Sequence, residues 1–231
     1  MNIKKFLKEI DTIIERDPAA ESRLGVMFLY PSFHVMIFYK TANILWRYNL
    51  RFIARFIMQI GRMLTGIEIH PAAKIGCNFF MDHGLGIVIG ETAEIGEDVT
   101  IYQGVTLGGV MPSIETESQR NQKRHPTIGN NVIIGSGAQI LGPIEVGDYA
   151  RIGANSVVSK NVPSNVTVAG VPAREFSKTS KLEKFKAYAV SNNEIDPREK
   201  TLNLLIEKVK ILEKKIKSLE NNKNKKSINN I

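Results

Sequence analysis

Large apolar residues return at every sixth position through the middle of this 231-residue chain. They are Ile69, Ile75, Met81 and Ile87; after a slip of two positions Ile89, Ile95, Ile101 and Leu107; after an interruption Ile128, Ile134, Ile140, Val146, Ile152 and Val158. A glycine often follows, and a small or β-branched residue often stands four positions later. Six residues make a short strand and a turn, and one repeat cannot bury its apolar side alone. The repeat therefore predicts a solenoid of stacked coils.

The segments on either side of the repeat have a helical pattern. Residues 2–16 and 20–64 carry apolar side chains at spacings of three and four. Asp17 and Pro18 are interpreted as the N-cap and first residue of the second helix. Near the C-terminus, a short heptad seam is formed by Leu202, Leu205, Val209, Leu212, Ile216 and Leu219.

These patterns predict an α+β chain with three parts. Residues 1–66 form a helical domain, residues 67–176 the solenoid of short strands, and residues 177–231 a coiled-coil-like helix with a flexible tail.

Composition excludes several classes of protein. The net charge of +8 resides mostly in residues 178–231, where 14 Lys and Arg oppose 7 Asp and Glu, so the main body has no basic stripe for nucleic acid. No apolar run is long enough to span a bilayer, and the first residues do not resemble a secretory signal. A single cysteine, Cys77, excludes an internal disulfide and agrees with a cytoplasmic location.

The four histidines are the best candidates for chemistry. His34 lies in a helical apolar run and His70 precedes a proline, so both are interpreted as structural. His83 stands among the small residues of the repeat, and His125 stands where the repeat restarts. No two histidines lie within ten residues of each other, and a zinc site needs three or four protein ligands, so we expect no metal.

A histidine of near-neutral pKa takes a proton from a hydroxyl and returns it to a leaving group. A carboxylate at the other ring nitrogen orients such a base. Glu68 precedes His83 by fifteen residues, slightly less than one coil of three repeats, and is a candidate for that role on spacing alone.

The chain resembles the serine acetyltransferase family of hexapeptide-repeat acyltransferases over roughly residues 10–175. The general motifs are the six-residue repeat and Gly-Val-Pro-Ala-Arg at residues 170–174. The specific motifs are Asp-Pro-Ala at residues 17–19, Asp-His-Gly at residues 82–84 and Arg-His-Pro at residues 124–126. The resemblance implies that residues 67–176 form a left-handed parallel β-helix that carries the catalytic site, and that the protein transfers acetyl from acetyl-CoA to L-serine.

The resemblance also implies residue roles. His83 is the general base, and Glu68 stands where the family has an orienting carboxylate, which is Asp in some members. The residues that grip the amino and carboxyl groups of serine are Asp17, Asp82, Arg124 and His125. The residues that line the acetyl-CoA groove between subunits are Gly108, Gly109, Ser136, Gly137, Arg151, Ala154, Asn155 and Arg174, of which the two arginines meet the phosphates.

The family further implies a homotrimer or a dimer of trimers, and feedback inhibition by L-cysteine. The short helical region favours a trimer clamped by the C-terminal seam, and the loop at residues 110–123 is longer than in the family. Family members often end in isoleucine, which docks in O-acetylserine sulfhydrylase, so Ile231 is a candidate contact with that enzyme.

Two alternatives share the solenoid. One is a hexapeptide acetyltransferase for a sugar or another amino acid, which would not need Asp17, Asp82 and Arg124 together. The other is a non-catalytic trimeric scaffold, in which loss of His83 would change nothing measurable.

Overall fold

The structure, a computed structural model, describes residues 3–110, 120, 122–178, 205–209, 211, 212 and 215. The chain divides into two compact units, Met1–Tyr188 and Ala189–Ile231. The described residues of the first unit form four helices followed by a parallel β-helix. The predicted order of helices and solenoid is therefore confirmed.

The helices are α1 (Ile3–Arg16), α2 (Arg23–Leu29), α3 (Pro31–Arg47) and α4 (Arg51–Thr65). The predicted helical stretch 20–64 is thus interrupted twice. The prediction that Asp17 caps the second helix is wrong, because α2 begins at Arg23 and the Ser22 hydroxyl accepts a hydrogen bond from the Gly25 N–H at 3.1 Å. Asp17 instead accepts a bond from the Ala19 N–H inside a turn.

In the described part of the chain, fifteen short strands follow the helices. They are β1 (Glu68–Ile69), β2 (Lys74–Ile75), β3 (Phe80–Asp82), β4 (Val88–Ile89), β5 (Glu94–Ile95), β6 (Thr100–Tyr102), β7 (Thr106–Gly108), β8 (Thr127–Ile128), β9 (Ile133–Ile134), β10 (Gln139–Leu141), β11 (Glu145–Val146), β12 (Arg151–Ile152), β13 (Val157–Val158), β14 (Val166–Ala169) and β15 (Arg174–Lys178).

The strands form three parallel sheets, one for each side of a triangular coil. Face A is β1-β4-β7-β10-β13, face B is β2-β5-β8-β11, and face C is β3-β6-β9-β12-β14. The antiparallel strand β15 covers the end of face C. Each corner of the coil therefore joins two faces, and equivalent corners of successive coils lie above one another.

The interior of the coil is filled by the apolar residues of the repeat. Of the fourteen predicted inward residues, thirteen are at most 5% exposed, and Ile75 is half-buried. The small residues four positions later are buried as well, among them Ala73, Val105 and Ala138. The sixfold pattern therefore identified the core of the solenoid.

The glycine that follows the inward residue is required by the close approach of neighbouring coils. A Cβ atom on Gly76 would lie 2.4 Å from the Gly96 carbonyl oxygen, and one on Gly96 would lie 2.7 Å from the Gly129 oxygen. The backbone at these glycines does not have a positive φ. The space available, rather than a left-handed backbone conformation, therefore selects glycine here.

The helices are fixed to the first coils by a few polar contacts. The Tyr39 hydroxyl of α3 donates to the Ala73 carbonyl at 2.6 Å, and the Asn43 amide donates to the Pro71 carbonyl at 2.8 Å. Gly66 ends α4 in the left-handed conformation at φ 69°, which favours glycine. A Cβ atom there would also lie 2.5 Å from Leu85 Cδ1, at the corner of the next coil.

In the second unit, residues 205–209, 211, 212 and 215 are helical. The seam residues Leu205, Val209 and Leu212 are each more than half exposed. The remaining seam residues Leu202, Ile216 and Leu219, and Ile231, lie outside the described residues. Within the described part of the chain, no helix is long and apolar enough to cross a membrane.

The packing of the coil predicts a sharp contrast on one strand. Ile89 is 1% exposed and points inward, whereas the neighbouring Val88 is half-buried and points outward. We expect Ile89→Ala to lower the free energy of unfolding by about 2–5 kcal/mol, and Val88→Ala to cost about 1 kcal/mol or less. Urea unfolding followed by circular dichroism at one protein concentration measures both. Equal losses would contradict the assignment of inward and outward positions.

Candidate active site

His83 lies at a widened corner between faces C and A. Asp82 pairs with Tyr102, and Val88 pairs with Thr106, so this corner contains two residues more than the corner above it. These two residues are the slip in the six-residue repeat. His83 adopts a left-handed backbone conformation at φ 60°, and its side chain is 74% exposed. The imidazole is therefore presented on the outside of the coil.

Two carboxylates lie beside this corner. Asp82 ends β3, and its Oδ1 lies 3.9 Å from His83 Nε2, which is too far for a hydrogen bond. Asp17, in the turn after α1, is close enough for its charge to act on Asp82. Burial, and then the charge of Asp17, raise the pKa of Asp82, while the neighbouring His83 lowers it. The fold thus brings Asp17, Asp82 and His83 together from two distant parts of the sequence.

Glu68 lies on face A, one level below Val88. Its Oε2 forms an ion pair with Arg62 Nη1 of α4 at 2.9 Å. Among the described contacts, Glu68 pairs with Arg62 and His83 pairs with Asp82. The Glu68–His83 interaction expected from the sequence stays a prediction.

Arg124 and His125 lie at a different corner, between faces A and B. They follow the insertion that separates β7 from β8. Arg124 Nη2 contacts Glu91 Oε2 at 2.5 Å, which orients the guanidinium. The backbone N–H groups of Arg124 and His125 both donate to the Thr92 hydroxyl oxygen, at 3.0 and 3.1 Å. Thr92 therefore fixes the start of the repeat after the insertion.

The ring of His125 is held as a neutral imidazole. Its Nδ1 accepts a hydrogen bond from the Thr92 backbone N–H at 3.2 Å. Burial first, and the nearby Arg124 second, lower the pKa of His125 to about 4. The proton of the neutral ring is therefore on Nε2, which makes that atom a hydrogen-bond donor. The ring packs so closely on Gly90 that a Cβ there would lie 2.0 Å from His125 Cδ2.

The predicted site residues thus fall into two groups on different corners of one chain. The first is Asp17, Asp82 and His83, and the second is Arg124 and His125. A cavity of about 620 Å³ between α1, α3 and the first coil is lined by none of them. Within one chain, the structure therefore does not bring the two groups to the same corner of the coil.

Half of the eight residues assigned to the acetyl-CoA groove lie along the His83 corner. Higher coils place Ser136 and Gly137, and then Ala154 and Asn155, at the junction of faces C and A. The Asn155 N–H donates to the Ser136 carbonyl, and the Gly137 N–H to the Gln103 carbonyl, both at 2.8 Å. Small residues therefore form a column that rises from the level of His83.

The other groove residues lie on the adjoining faces. Gly108 ends β7 on face A, and Gly109 follows it. Arg151 is on β12 of face C opposite Thr167 of β14, and Arg174 is on β15 opposite Ala169 of the same β14. The two arginines therefore lie on the two strands that flank β14.

The other two histidines have structural contacts. His34 Nε2 lies 2.8 Å from the Met27 carbonyl oxygen, which links α3 to α2. The His70 ring lies edge-on to Trp46 with 5.0 Å between centroids, and burial lowers its pKa to about 4. Among the residues that the structure describes, no group of three His, Cys, Asp or Glu side chains could hold a metal ion.

Sequence reasoning missed four residues of these corners: Arg16, Tyr30, Glu91 and Thr92. Arg16 directly precedes the Asp-Pro-Ala motif, and Glu91 and Thr92 follow the inward residue Ile89 of the repeat, but nothing in the sequence indicates their contacts. Tyr30 carried no signal, because it precedes Pro31 in an apolar run thirteen residues from the aspartate that it contacts.

Comparisons with known proteins agree with the motifs. The family described as bacterial transferase hexapeptide (six repeats) matches residues 125–160. The chain is 48% identical over 169 residues to a serine acetyltransferase of Helicobacter pylori strain J99, covering 73% of this chain and 95% of that protein. It is 39% identical over 217 residues to a serine acetyltransferase of Synechococcus elongatus, covering 94% and 84%.

Solved structures give the same picture. The chain is similar to a serine acetyltransferase in complex with cysteine, with a TM-score of 0.70 and 43% identity over 76% of this chain and 70% of that one. It is similar to soybean serine acetyltransferase complexed with serine, with a TM-score of 0.70 and 38% identity over 75% and 68%.

The neutral His125 predicts a pH dependence of stability. Its pKa is about 4 in the folded chain and about 6.5 when unfolded, so below pH 6.5 the unfolded state binds the proton first. Its contribution to stability is complete above pH 6.5 and is lost as the pH falls toward 4. We expect the wild type to lose more unfolding free energy between pH 6.5 and 4.5 than His125→Gln. Urea titrations at both pH values measure these losses. Equal losses in the two proteins would contradict the assignment of a neutral His125 ring.

Proposed function

This chain belongs to the serine acetyltransferase family and is an acetyltransferase, and we propose that it transfers the acetyl group of acetyl-CoA to the hydroxyl of L-serine, giving O-acetyl-L-serine as the first step of cysteine biosynthesis. One observation carries the proposal. His83 stands exposed at a widened corner, beside two carboxylates and at the foot of a column of small residues.

His83 is proposed to act as general base and then as general acid. It takes the serine hydroxyl proton as the oxygen attacks the thioester carbonyl carbon. The C–O bond forms, the C–S bond then breaks, and the imidazolium returns its proton to the departing thiolate, giving CoA with a free thiol. Transfer is direct, because Cys77, the one cysteine of the chain, lies at the corner between faces B and C, away from the His83 corner. Positioning of hydroxyl and thioester supplies most of the acceleration.

Charge complementarity supports L-serine as the acceptor. Asp17 and Asp82 lie close together, and two carboxylates suit an ammonium group. Arg124 presents a planar guanidinium oriented by Glu91, and His125 presents a neutral N–H donor. These two groups suit a carboxylate. A sugar acceptor would use neither set of charges.

A homotrimer is proposed as the working assembly. In one chain, His83 and Arg124 lie at different corners of a triangular coil, so a site that contains both needs two subunits. In a threefold arrangement, the corner of each chain that carries His83 faces the corner of its neighbour that carries Arg124. The exposed seam residues Leu205, Val209 and Leu212 suit a short coiled coil between subunits. A dimer of trimers is the larger alternative.

Glu68 is proposed to orient His83 when substrate is bound. Its ion pair with Arg62 is about half exposed on both sides. Such pairs contribute only about 0–1 kcal/mol to stability. Glu68 can therefore leave Arg62 and pair with His83 at little cost in free energy. Full activity of Glu68→Gln would exclude this role.

The proposed cosubstrate is acetyl-CoA, lying along the column of small residues, with Gly108 and Gly109 at the acetyl end and Arg151 and Arg174 near the phosphates. L-cysteine is proposed as feedback inhibitor, because it offers the same ammonium and carboxylate as serine. The contact of Ile231 with O-acetylserine sulfhydrylase concerns a residue outside the described part, and it rests on the family resemblance.

The role of His83 predicts a large loss of rate. We expect His83→Asn to lower kcat by about 10²–10⁴-fold, since a general base contributes about that much. Asn is chosen because it tolerates the left-handed backbone conformation of this position. The measurement is thiol release from acetyl-CoA with L-serine, L-homoserine, a galactoside or no acceptor.

The control is His34→Gln, at a histidine whose described contacts are structural. It should keep near wild-type kcat. If the wild type released thiol with another acceptor but not with L-serine, L-serine would be excluded as the substrate. Absence of release with every acceptor, or unchanged release in His83→Asn, would favour the scaffold alternative or another base.

The shared site predicts complementation between inactive subunits. His83→Asn and Arg124→Ala chains should each be nearly inactive alone. Co-expressed in equal amounts with different tags and purified by both tags, mixed trimers should regain about a third of wild-type activity, because one of the three interfaces in each mixed trimer then carries both intact residues. Mixed trimers as inactive as their parents would place both groups in a site within one subunit.

A further inference from the structure

The turn that carries Asp17 is held from two sides. Asp17 Oδ1 accepts a hydrogen bond from the Ala19 backbone N–H at 2.8 Å, and Asp17 Oδ2 accepts one from the Tyr30 hydroxyl at 2.5 Å. Tyr30 lies between α2 and α3, thirteen residues away in sequence. The carboxylate therefore has both oxygens fixed although it lies in a loop. We call Ala19 N–H, Tyr30 and Asp17 the aspartate clamp.

Tyr30 is suited to be a permanent donor. Burial first, then the hydrogen bond and charge of Asp17, and finally the charge of Asp82 raise the pKa of Tyr30 to about 12. The hydroxyl consequently keeps its proton at physiological pH. It also lies near both carboxylates that are proposed to receive the substrate ammonium.

Arg16, the residue before Asp17, anchors the end of α1 to the coil. The Arg16 guanidinium donates to Asp98 Oδ1 at 2.8 Å, to Thr100 Oγ1 at 3.1 Å and to the Asn78 carbonyl at 3.2 Å. Its side chain is 13% exposed. Thr100 is on β6, which pairs with β3, the strand that ends at Asp82. Arg16 thus sets the distance from the Asp17 turn to the strand of Asp82.

The arrangement has a cost that needs an explanation. Two carboxylates held close together repel each other, and the charge of Asp17 raises the pKa of Asp82. A mobile Asp17 would relieve this repulsion by moving into solvent. Tyr30 and Arg16 prevent that movement. A cation that binds between the two carboxylates is therefore attracted by both charges, and its binding free energy is not reduced by the cost of ordering them.

We propose that Tyr30 is a positioning residue for acceptor binding: it holds the Asp17 carboxylate beside Asp82, so that the two form a preorganised receptor for the ammonium group of the amino-acid acceptor. Arg16 supports the same receptor from the coil side. The proposal rests on the proposed function, because it assigns the determinant of one substrate group.

The test is Tyr30→Phe, which removes the hydroxyl and keeps the ring. Loss of a hydrogen bond to a charged group should raise KM for L-serine about 10- to 100-fold. The kcat and the KM for acetyl-CoA should change less than about twofold, because neither the base nor the cosubstrate column contacts Tyr30 in the proposal. The dissociation constant of L-cysteine, measured by calorimetry without turnover, should rise by a similar factor.

The matched control is Tyr39→Phe, the same substitution at another tyrosine of the interface between helices and coil. The Tyr39 hydroxyl donates to the Ala73 carbonyl in a buried position. This variant should lower Tm and leave KM for serine unchanged. Tyr30→Phe should instead raise KM for serine and leave Tm unchanged.

Three results overturn the proposal. KM for serine within twofold of wild type would show that Tyr30 does not position Asp17. A parallel rise of both KM values together with a lower Tm would show a merely structural role. Unchanged L-cysteine affinity would exclude ammonium recognition as the cause. An error in the proposed function itself would be recognised separately, because the wild type would then release no CoA with serine.

Discussion

The coils of this β-helix are held together by backbone hydrogen bonds between equivalent residues of successive coils, around a column of inward apolar side chains. Neighbouring backbones approach so closely that a Cβ atom on Gly76 would lie 2.4 Å from the next coil. Every coil must therefore have the same shape as the coils above and below it. Few positions inside the repeat can depart from the pattern without breaking contacts in two neighbours.

This constraint places the chemistry where the repeat is interrupted. The interior is filled, and the strand positions pack inward or form the faces. Extra residues are accommodated only at corners, where they extend outward. The widened corner carries His83, and the insertion before β8 ends at Arg124 and His125. The regular coils above supply the complementary feature, a column of small residues along one corner.

The helical region adds what the solenoid lacks, a carboxylate delivered from outside the coil. Asp17 lies in a turn, and a turn places a side chain accurately only when other groups hold it. Arg16 attaches the end of α1 to Asp98 and Thr100, and Tyr30 and the Ala19 N–H hold the two carboxylate oxygens. Electrostatic repulsion between Asp17 and Asp82 is thereby retained in the folded chain, and it favours a cationic ligand group at that point.

The sequence by itself determined the solenoid, its inward residues and the family, because each repeat has the same environment and a pattern of period six reports it directly. It also marked both interrupted corners. Only the tertiary structure decided that Asp17 is held in a turn rather than capping a helix, that Glu68 pairs with Arg62, and that His83 and Arg124 lie on different corners. The contact of Tyr30 with Asp17 was equally invisible in the sequence. Such contacts join residues whose separation along the chain follows no period, so they depend on how helices and coils dock.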